Sequence, residues 1–343
     1  MSRVGVVVIG RNEGQRLVRC LQSLAPTGVP VVYVDSGSTD RSVQRARELG
    51  AKVIELDQSI PFSASRARNS GLAALREIAQ PDCVQFVDGD CEILDGWLAA
   101  GSEYLLANPQ FAAVCGKLRE REPNASIYNG ICDVEWSSKP GEAEACGGVA
   151  MYRISALQAA GGFDPTVTAG EERELCGRLR ANGLKVMRLD VPMATHDAAM
   201  TKISHWWRRE IRAGYGGLDV ATRFENGAGN FSRQIRSARI WGIGFPLILI
   251  AIAIACSAIG GLRIALPAIA ITLCLWLLQL LRIAIRTKKR GRTATFSLAY
   301  AFFLMLGKWA QLIGQFRYIL DRRKGSQARL IEHKSPAVAG GAP

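Results

Sequence analysis

Residues 240–262 and 264–281 are uncharged, apolar runs of 23 and 18 residues, parted only by Arg263, and they restrict what this chain can fold into more than any other feature. Roughly 20 apolar residues cross a bilayer core as a helix, so the pair reads as a transmembrane hairpin within a segment 232–293. Arg233, Arg236 and Arg239 precede it, and Arg282, Arg286, Lys288, Lys289, Arg290 and Arg292 follow it. Basic flanks stay cytoplasmic, so the expectation is a multi-pass inner-membrane protein with residues 1–231 in the cytoplasm. Residues 1–231 carry 26 Lys and Arg against 28 Asp and Glu, whereas residues 232–343 carry 17 against 2. The net charge of +13 therefore belongs to the membrane flanks, and no basic folded surface is left to bind nucleic acid. A third apolar stretch, residues 294–320, holds Lys308, Gln311, Gln315 and Arg317 on one helical face. It reads as an amphipathic helix in the interface or as a third span. Residues 321–343 are expected to be a basic, disordered tail.

The segment before the membrane alternates strand and helix. Apolar, β-branched runs at 4–9, 29–34, 52–56 and 83–87 are separated by helical spacings at 12–24, 41–49 and 65–78. That alternation predicts a Rossmann-like, doubly wound, mainly parallel α/β sheet, whose ligands bind outside the carboxyl ends of the strands. Weaker strands are expected at 111–118, 147–152 and 184–189, a helix at 171–181, and an amphipathic surface element at 199–225. The N-terminal apolar run is too short for a signal peptide. Nine cysteines without a C-x-x-C pair argue against a zinc module and read as small buried hydrophobes. No G-x-G-x-x-G follows the first strand, which excludes a dinucleotide-dependent oxidoreductase. Asp35 and Asp88 both fall at strand ends. Asp88-Gly89-Asp90 follows a buried strand, and paired carboxylates there suit a hard divalent cation that also takes substrate phosphates.

Six motifs in order, VVVIGRNE at 6–13, VDSGSTD at 34–40, ARNSG at 67–71, FVDGD at 86–90, GGFD at 161–164 and GEEREL at 170–175, resemble family 2 glycosyltransferases of GT-A fold over about residues 4–215. The resemblance implies a nucleotide-diphosphate-sugar donor, a divalent metal (Mg²⁺ or Mn²⁺) and inversion at the transferred sugar. It implies donor contacts from Asp35, Arg66, Arg68, Asp88 and Gly148, and metal contacts from Asp90 and Asp88. Asp35 also reads as the opener of its own turn, and Arg66 and Arg68 as a solvated helix face. His196 is either a further metal ligand or an ordinary loop histidine. The family's acidic pair at a helix start falls on Glu171 and Glu172, and the second implies Glu172 as catalytic base. Dipole pairing alone would also place acids there. The sequence His205-Trp206-Trp207-Arg208-Arg209 lacks the Gln and the residue order of processive synthases, which disfavours a polymerase. Trp206 and Trp207 are expected at the membrane interface or as an acceptor platform. The anchor suggests a lipid-linked, cell-envelope or exopolysaccharide acceptor. Rival readings are a sugar-nucleotide pyrophosphorylase, for which Ile9-Gly10-Arg11-Asn12-Glu13-Gly14 is a poor phosphate loop, and a non-catalytic scaffold.

Overall fold

The β-branched run after Arg3 becomes β1 (Val4–Gly10) in the computed structural model, which describes residues 3–224, 230–260 and 262–325. It is followed by α1 (Gln15–Leu24), β2 (Val31–Asp35), α2 (Ser42–Glu48), β3 (Lys52–Glu55), α3 (Ala64–Ile78) and β4 (Cys83–Asp88). β1 pairs in parallel with β2 and β4, and β2 with β3, in the order β3-β2-β1-β4. Val6, Val7 and Val8 are wholly buried, as a parallel strand covered on both faces requires. Because β2 and β4 lie on opposite sides of β1, a crevice opens at their carboxyl ends. Register places Asp35 beside Gly10 and Asp88 beside Ile9, so both acids border that crevice.

The parallel half ends at β4. Next come β5 (Cys91–Ile93), α4 (Trp97–Ala107), β6 (Phe111–Glu120), α5 (Ile127–Trp136), β7 (Gly141–Glu142), β8 (Ala150–Arg153), α6 (Ile154–Ala159), α7 (Glu171–Ala181) and β9 (Lys185–His196). β8 lies antiparallel between β4 and β6, β9 runs parallel to β6, and β5 and β7 pair antiparallel with β9. The α/β sheet is thus mixed in its second half. β9 continues well beyond the apolar run at 184–189. The register with β6 shifts around Lys117–Pro192, where a proline is tolerated at an irregularity, and pairing then resumes as far as His196.

The C-terminal part is helical: α8 (Ile203–Arg223), α9 (Asn230–Arg239), a π-helical turn (Ile240–Gly244), α10 (Phe245–Gly260), α11 (Leu262–Lys288) and α12 (Ala294–Lys324). Among the described residues three stretches, Ser232–Cys256, Ala265–Lys288 and Ala294–Lys324, are long and apolar enough to cross a membrane. The third differs from the others: 44% of its apolar window is buried against protein, compared with 6% and 11%. Its polar stripe faces inward. Gln311 donates to Glu210 of α8 at 2.7 Å, Lys308 to Gln311 at 3.3 Å, and Arg239 to Gln315 at 3.0 Å, whereas Arg317 is exposed. The exposed stripe is apolar: Leu298, Phe302, Trp309, Ile313, Phe316 and Leu320. This corrects the expectation of a polar face turned to headgroups. Two of the four polar residues on that face, Gln311 and Gln315, dock the helix on α8 and α9, and the buried Lys308 bonds Gln311 within α12. Of the tail expected from 321, the first four residues complete α12, and residues 326–343 lie outside the described residues.

The segment 199–225 is likewise less superficial than its composition suggested. Trp206 is wholly buried, packed against Phe303 and Tyr128, so it joins α8, α12 and α5 and is not a membrane-facing ring. α8 and α12 approach so closely that a Cβ at Gly314 would strike the Ile211 carbonyl, and one at Gly214 the Gln311 carbonyl. Overpacking of this kind costs about 1–3 kcal/mol. Gly314→Val is therefore expected to loosen α12 from α8 and lower the thermal midpoint of the purified protein. An unchanged midpoint would contradict the close crossing. The turn after α11 is tied to the α/β sheet by Asp133, which is wholly buried and pairs with Arg119 at 2.8 Å and with Arg292. Burial opposes ionisation of Asp133, but the two guanidiniums outweigh it and pull its carboxyl down to about 2.

Candidate active site

The crevice holds two linked clusters. The first is built around Arg68. Residues 66 and 68 are two positions apart on α3, about 200° around a helix, so they cannot share a face. Arg68 points inward and is 2% exposed. Its guanidinium meets Glu171 at 2.7 Å, Glu172 at 3.0 Å and Asp88 at 3.1 Å, and lies over the Phe163 ring. Arg66 points outward, and its guanidinium donates to the carbonyls of Asp57 and Ile60 at 2.8 and 2.9 Å. The structure therefore does not bring Arg66 to the cluster, because its donors hold the loop before α3. The solvated-face reading fails for Arg68.

Gly148 stands against this junction. A Cβ there would collide with the Asp88 carboxylate and lie 2.9 Å from Arg68 Nη2. No other residue leaves room for the pair. Glu171 and Glu172 open α7 behind Gly170, which takes a left-handed conformation. Glu171 is buried, while Glu172 keeps 16% of its side chain exposed. Burial, then the neighbouring Glu171 charge, push the Glu172 carboxyl up to about 7 against the pull of Arg68. Burial acts on Glu171 in the same direction, but Arg68 and Arg212 outweigh it and hold that carboxyl below its ordinary value. One acid is thus an ion-pair anchor and the other a carboxyl poised near neutrality. Such a division is expected where one group must accept a proton.

The second cluster is set by strand register. Cys91 of β5 and Glu120 of β6 both pair with His196 of β9. His196 Nε2 lies 3.3 Å from Asp90, and Nδ1 lies 3.2 Å from Glu120, whose other oxygen accepts from Ala198 N–H at 3.0 Å. Asp90, Cys91 and His196 offer ligand atoms within 4.8 Å of one another. A histidine with one nitrogen toward a carboxylate ligand and the other on a second carboxylate is the arrangement that orients imidazole for a cation. The donor set fits a divalent ion, and the structure brings Asp90 and His196 together for it. Asp88 is turned toward Arg68. Trp136, at the end of α5, rests edge-on against His196 at 4.2 Å.

Asp35 borders the crevice, but its oxygens are used locally. One accepts from Tyr33 and Ser38 hydroxyls at 2.8 and 2.5 Å, and the other from the N–H groups of Gly37 and Ser38 at 2.9 and 2.8 Å. The turn-opening role is the one present, and no lone-pair site remains for a base edge. Asn12, at φ 55°, accepts from Thr39 N–H at 2.7 Å on its side-chain oxygen and donates its own backbone N–H to Ser38 Oγ at 2.9 Å. The two loops that frame the crevice are thereby locked to each other.

The sequence model of glycosyl transferase family 2 matches residues 5–158. The chain carries a family 2 glycosyltransferase domain. Among curated relatives, the pre-mycofactocin glycosyltransferase of Mycobacterium tuberculosis is 31% identical over 233 residues, 62% of this chain and 46% of the relative. A TPR repeat-containing protein of Synechococcus elongatus is 36% identical over 104 residues, 30% of this chain and 24% of the relative. The chain thus spans less than half the length of these relatives. Among solved structures, a mannosyltransferase from Pyrobaculum calidifontis in complex with GDP-Man and Mn²⁺ superposes with a TM-score of 0.63 at 18% identity, covering 94% of this chain and 88% of that one. GalNAc-T7 with UDP, GalNAc and Mn²⁺ gives 0.50 at 14% identity, covering 71% and 51%. These likenesses establish the GT-A fold.

Glu120, Trp136 and Phe163 join the candidate site without having been singled out in the sequence. Phe163 lay within the GGFD motif, so a signal existed. Glu120 and Trp136 had none, because only the β6–β9 register and the end of α5 carry them to His196. Arg68 holds three carboxylates, and removing one partner of a buried ion pair costs about 3–5 kcal/mol. Arg68→Ala is therefore expected to lose stability on that scale in chemical denaturation. A variant within 1 kcal/mol of the parent would contradict the hub.

Proposed function

We propose that this protein is a membrane-anchored, metal-dependent, inverting and non-processive glycosyltransferase. It moves a sugar from a nucleotide-diphosphate donor to a hydroxyl of a lipid-linked, cell-envelope or exopolysaccharide acceptor at the cytoplasmic face of the inner membrane. The observation that carries this reading is the Arg68 junction, which ties the donor-side acid Asp88 to Glu172, a carboxyl held near neutrality. The solved neighbours support it, since their complexes contain GDP-Man or UDP together with Mn²⁺.

In this mechanism Glu172 takes the proton from the acceptor hydroxyl as its oxygen bonds to the anomeric carbon and the bond to the nucleotide diphosphate breaks on the opposite face. Arg68, itself anchored by Glu171, fixes Glu172 in place and keeps its charge tolerable. A divalent ion held by Asp90 and His196, with Asp88 toward the donor, would neutralise charge developing on the departing diphosphate. Gly148 leaves room for Asp88 to reach Arg68 at the donor side, and Asp35 acts by shaping the loop at 35–40. α10 and α11 form the hairpin anchor, and α12 lies with its apolar stripe in lipid and its polar stripe on α8. A pyrophosphorylase would release pyrophosphate from a nucleoside triphosphate and a sugar phosphate, and a scaffold would turn over neither substrate.

The test is thermal-shift screening of the detergent-solubilised protein against GDP- and UDP-sugars with Mn²⁺. A donor at 100 times its Kd should add about 2.7 kcal/mol to the folded state. The midpoint should rise only when sugar nucleotide and metal are both present. No response to any sugar nucleotide would sink the reading.

A further inference from the structure

A cavity of about 1050 Å³ lies beside the junction, and none of the donor or metal residues lines it. Its walls are α7, the middle of β6 and β9, the end of α5 with the loop around 138–149, and residues 223, 224 and 234. One stripe of α7 faces it, starting at Arg173, the residue after Glu172, and continuing through Gly177 to Arg180. Trp136 stands at the near end, between the cavity and His196. The space therefore starts one residue along α7 from Glu172 and one side chain away from His196, and runs away from both. From Glu172 to Arg180 is about 12 Å along the helix axis, further than one sugar ring reaches.

The lining charge is unbalanced. Lys139, Arg173, Arg180 and Arg188 all contribute to the walls. Of the lining acids, Glu135 turns to Arg209 at 2.7 Å and Glu142 to Lys185 at 2.9 Å, both cations outside the lining. Arg223, also on the wall, is committed to Asp164 and Asp219. Arg173 has the charges of Glu172, Glu135 and Glu144 about it, so the excess on the wall lies with Lys139, Arg180 and Arg188, and a concentration of like charge in a cleft draws anions. Arginine forks match the planar or tetrahedral oxygens of carboxylate and phosphate.

We infer that this cavity receives the acceptor, and that the acceptor carries an oxyanion, phosphate or carboxylate, beyond its reacting sugar or alcohol. Trp136 supports the reacting end, and Arg180, Arg188 and Lys139 hold the charged end. The inference rests on the glycosyltransferase reading and specifies its acceptor.

The test uses the full-length protein in neutral lipid nanodiscs with Mn²⁺ and a bound sugar nucleotide. Binding of tetragalacturonate is compared with maltotetraose, and of farnesyl phosphate with farnesol. At least one anion should bind tenfold or more tighter than its neutral counterpart, and the one that does so distinguishes a glycan from a lipid carrier. Lys139 and Arg180 are exposed, so the double variant K139E/R180E should fold and lose the preference, with K139Q/R180Q intermediate. Equal affinity for charged and neutral ligands, binding of neither anion, or a preference that survives the double charge reversal would each overturn the inference. Sugar-nucleotide binding is measured on the same samples. Its absence defeats the glycosyltransferase reading, whereas donor binding without charge preference defeats only the acceptor assignment.

Discussion

Asp90→Asn should reduce sugar transfer by at least about 10³-fold while leaving the fold intact, because a cation that neutralises a departing diphosphate supplies several kcal/mol. Asp90 is 2% exposed, with His196 at 3.3 Å, and the Asn side chain fills the same volume. The substitution therefore removes a charged ligand without opening a cavity. Its effect should be ordered against two others. His196→Ala removes the neighbouring donor. Glu120→Gln leaves every ligand in place but weakens the group that orients His196, and changes of that kind cost about 10–100-fold in metal affinity. Manganese titration followed by loss of the free-ion resonance should rank the three in affinity as it ranks them in rate. Near-normal turnover in Asp90→Asn would end the metal assignment, whatever the other two variants do.

What could be read in the chain before its structure follows a physical divide. β1, β2 and β4 announce themselves because each is a short β-branched run between breakers, and Asp35, Asp88 and Asp90 are placed by adjacency to strand ends. Glu171 and Glu172 are placed equally locally, at a helix start. Nothing local distinguishes Arg66 from Arg68. Their roles diverge because helix phase turns one to its own loop and the other into three carboxylates. Glu120 and His196 are 76 residues apart and meet only because β6 and β9 pair in parallel with a register shift. The polar stripe of α12 was visible in the sequence, but a stripe does not say what it faces. Here it faces Glu210 on α8 and not water. Local pattern thus located the candidate residues, while long-range pairing decided which of them come together.

Glu172→Gln should lower the transfer rate by about 10²–10⁴-fold, the usual contribution of a positioned general base, with donor binding retained. The pH dependence sharpens the prediction. The base works as its carboxylate, and that carboxyl is pushed up to about 7, so the parent rate should fall as pH drops through about 7. Stability moves in the opposite sense. A carboxyl raised on folding favours the protonated folded state, so its contribution is complete below the ordinary carboxylate range and is lost as pH rises through about 7. At pH 8 the Glu172 carboxylate is thus a charge the fold carries for function, and Glu172→Gln should raise the thermal midpoint there. The gain should vanish at pH 5. Glu171 is held below its ordinary value by Arg68 and Arg212 despite its burial. Its contribution is present at neutral pH and is lost as pH falls through its lowered range, so Glu171→Gln should destabilise at pH 7 by freeing one side of Arg68. Base and anchor are therefore separated by sign: one variant is inactive but firmer at pH 8, the other is weakened in its fold. If Glu171→Gln were inactive with an unchanged midpoint while Glu172→Gln stayed active, the two roles would have to be exchanged.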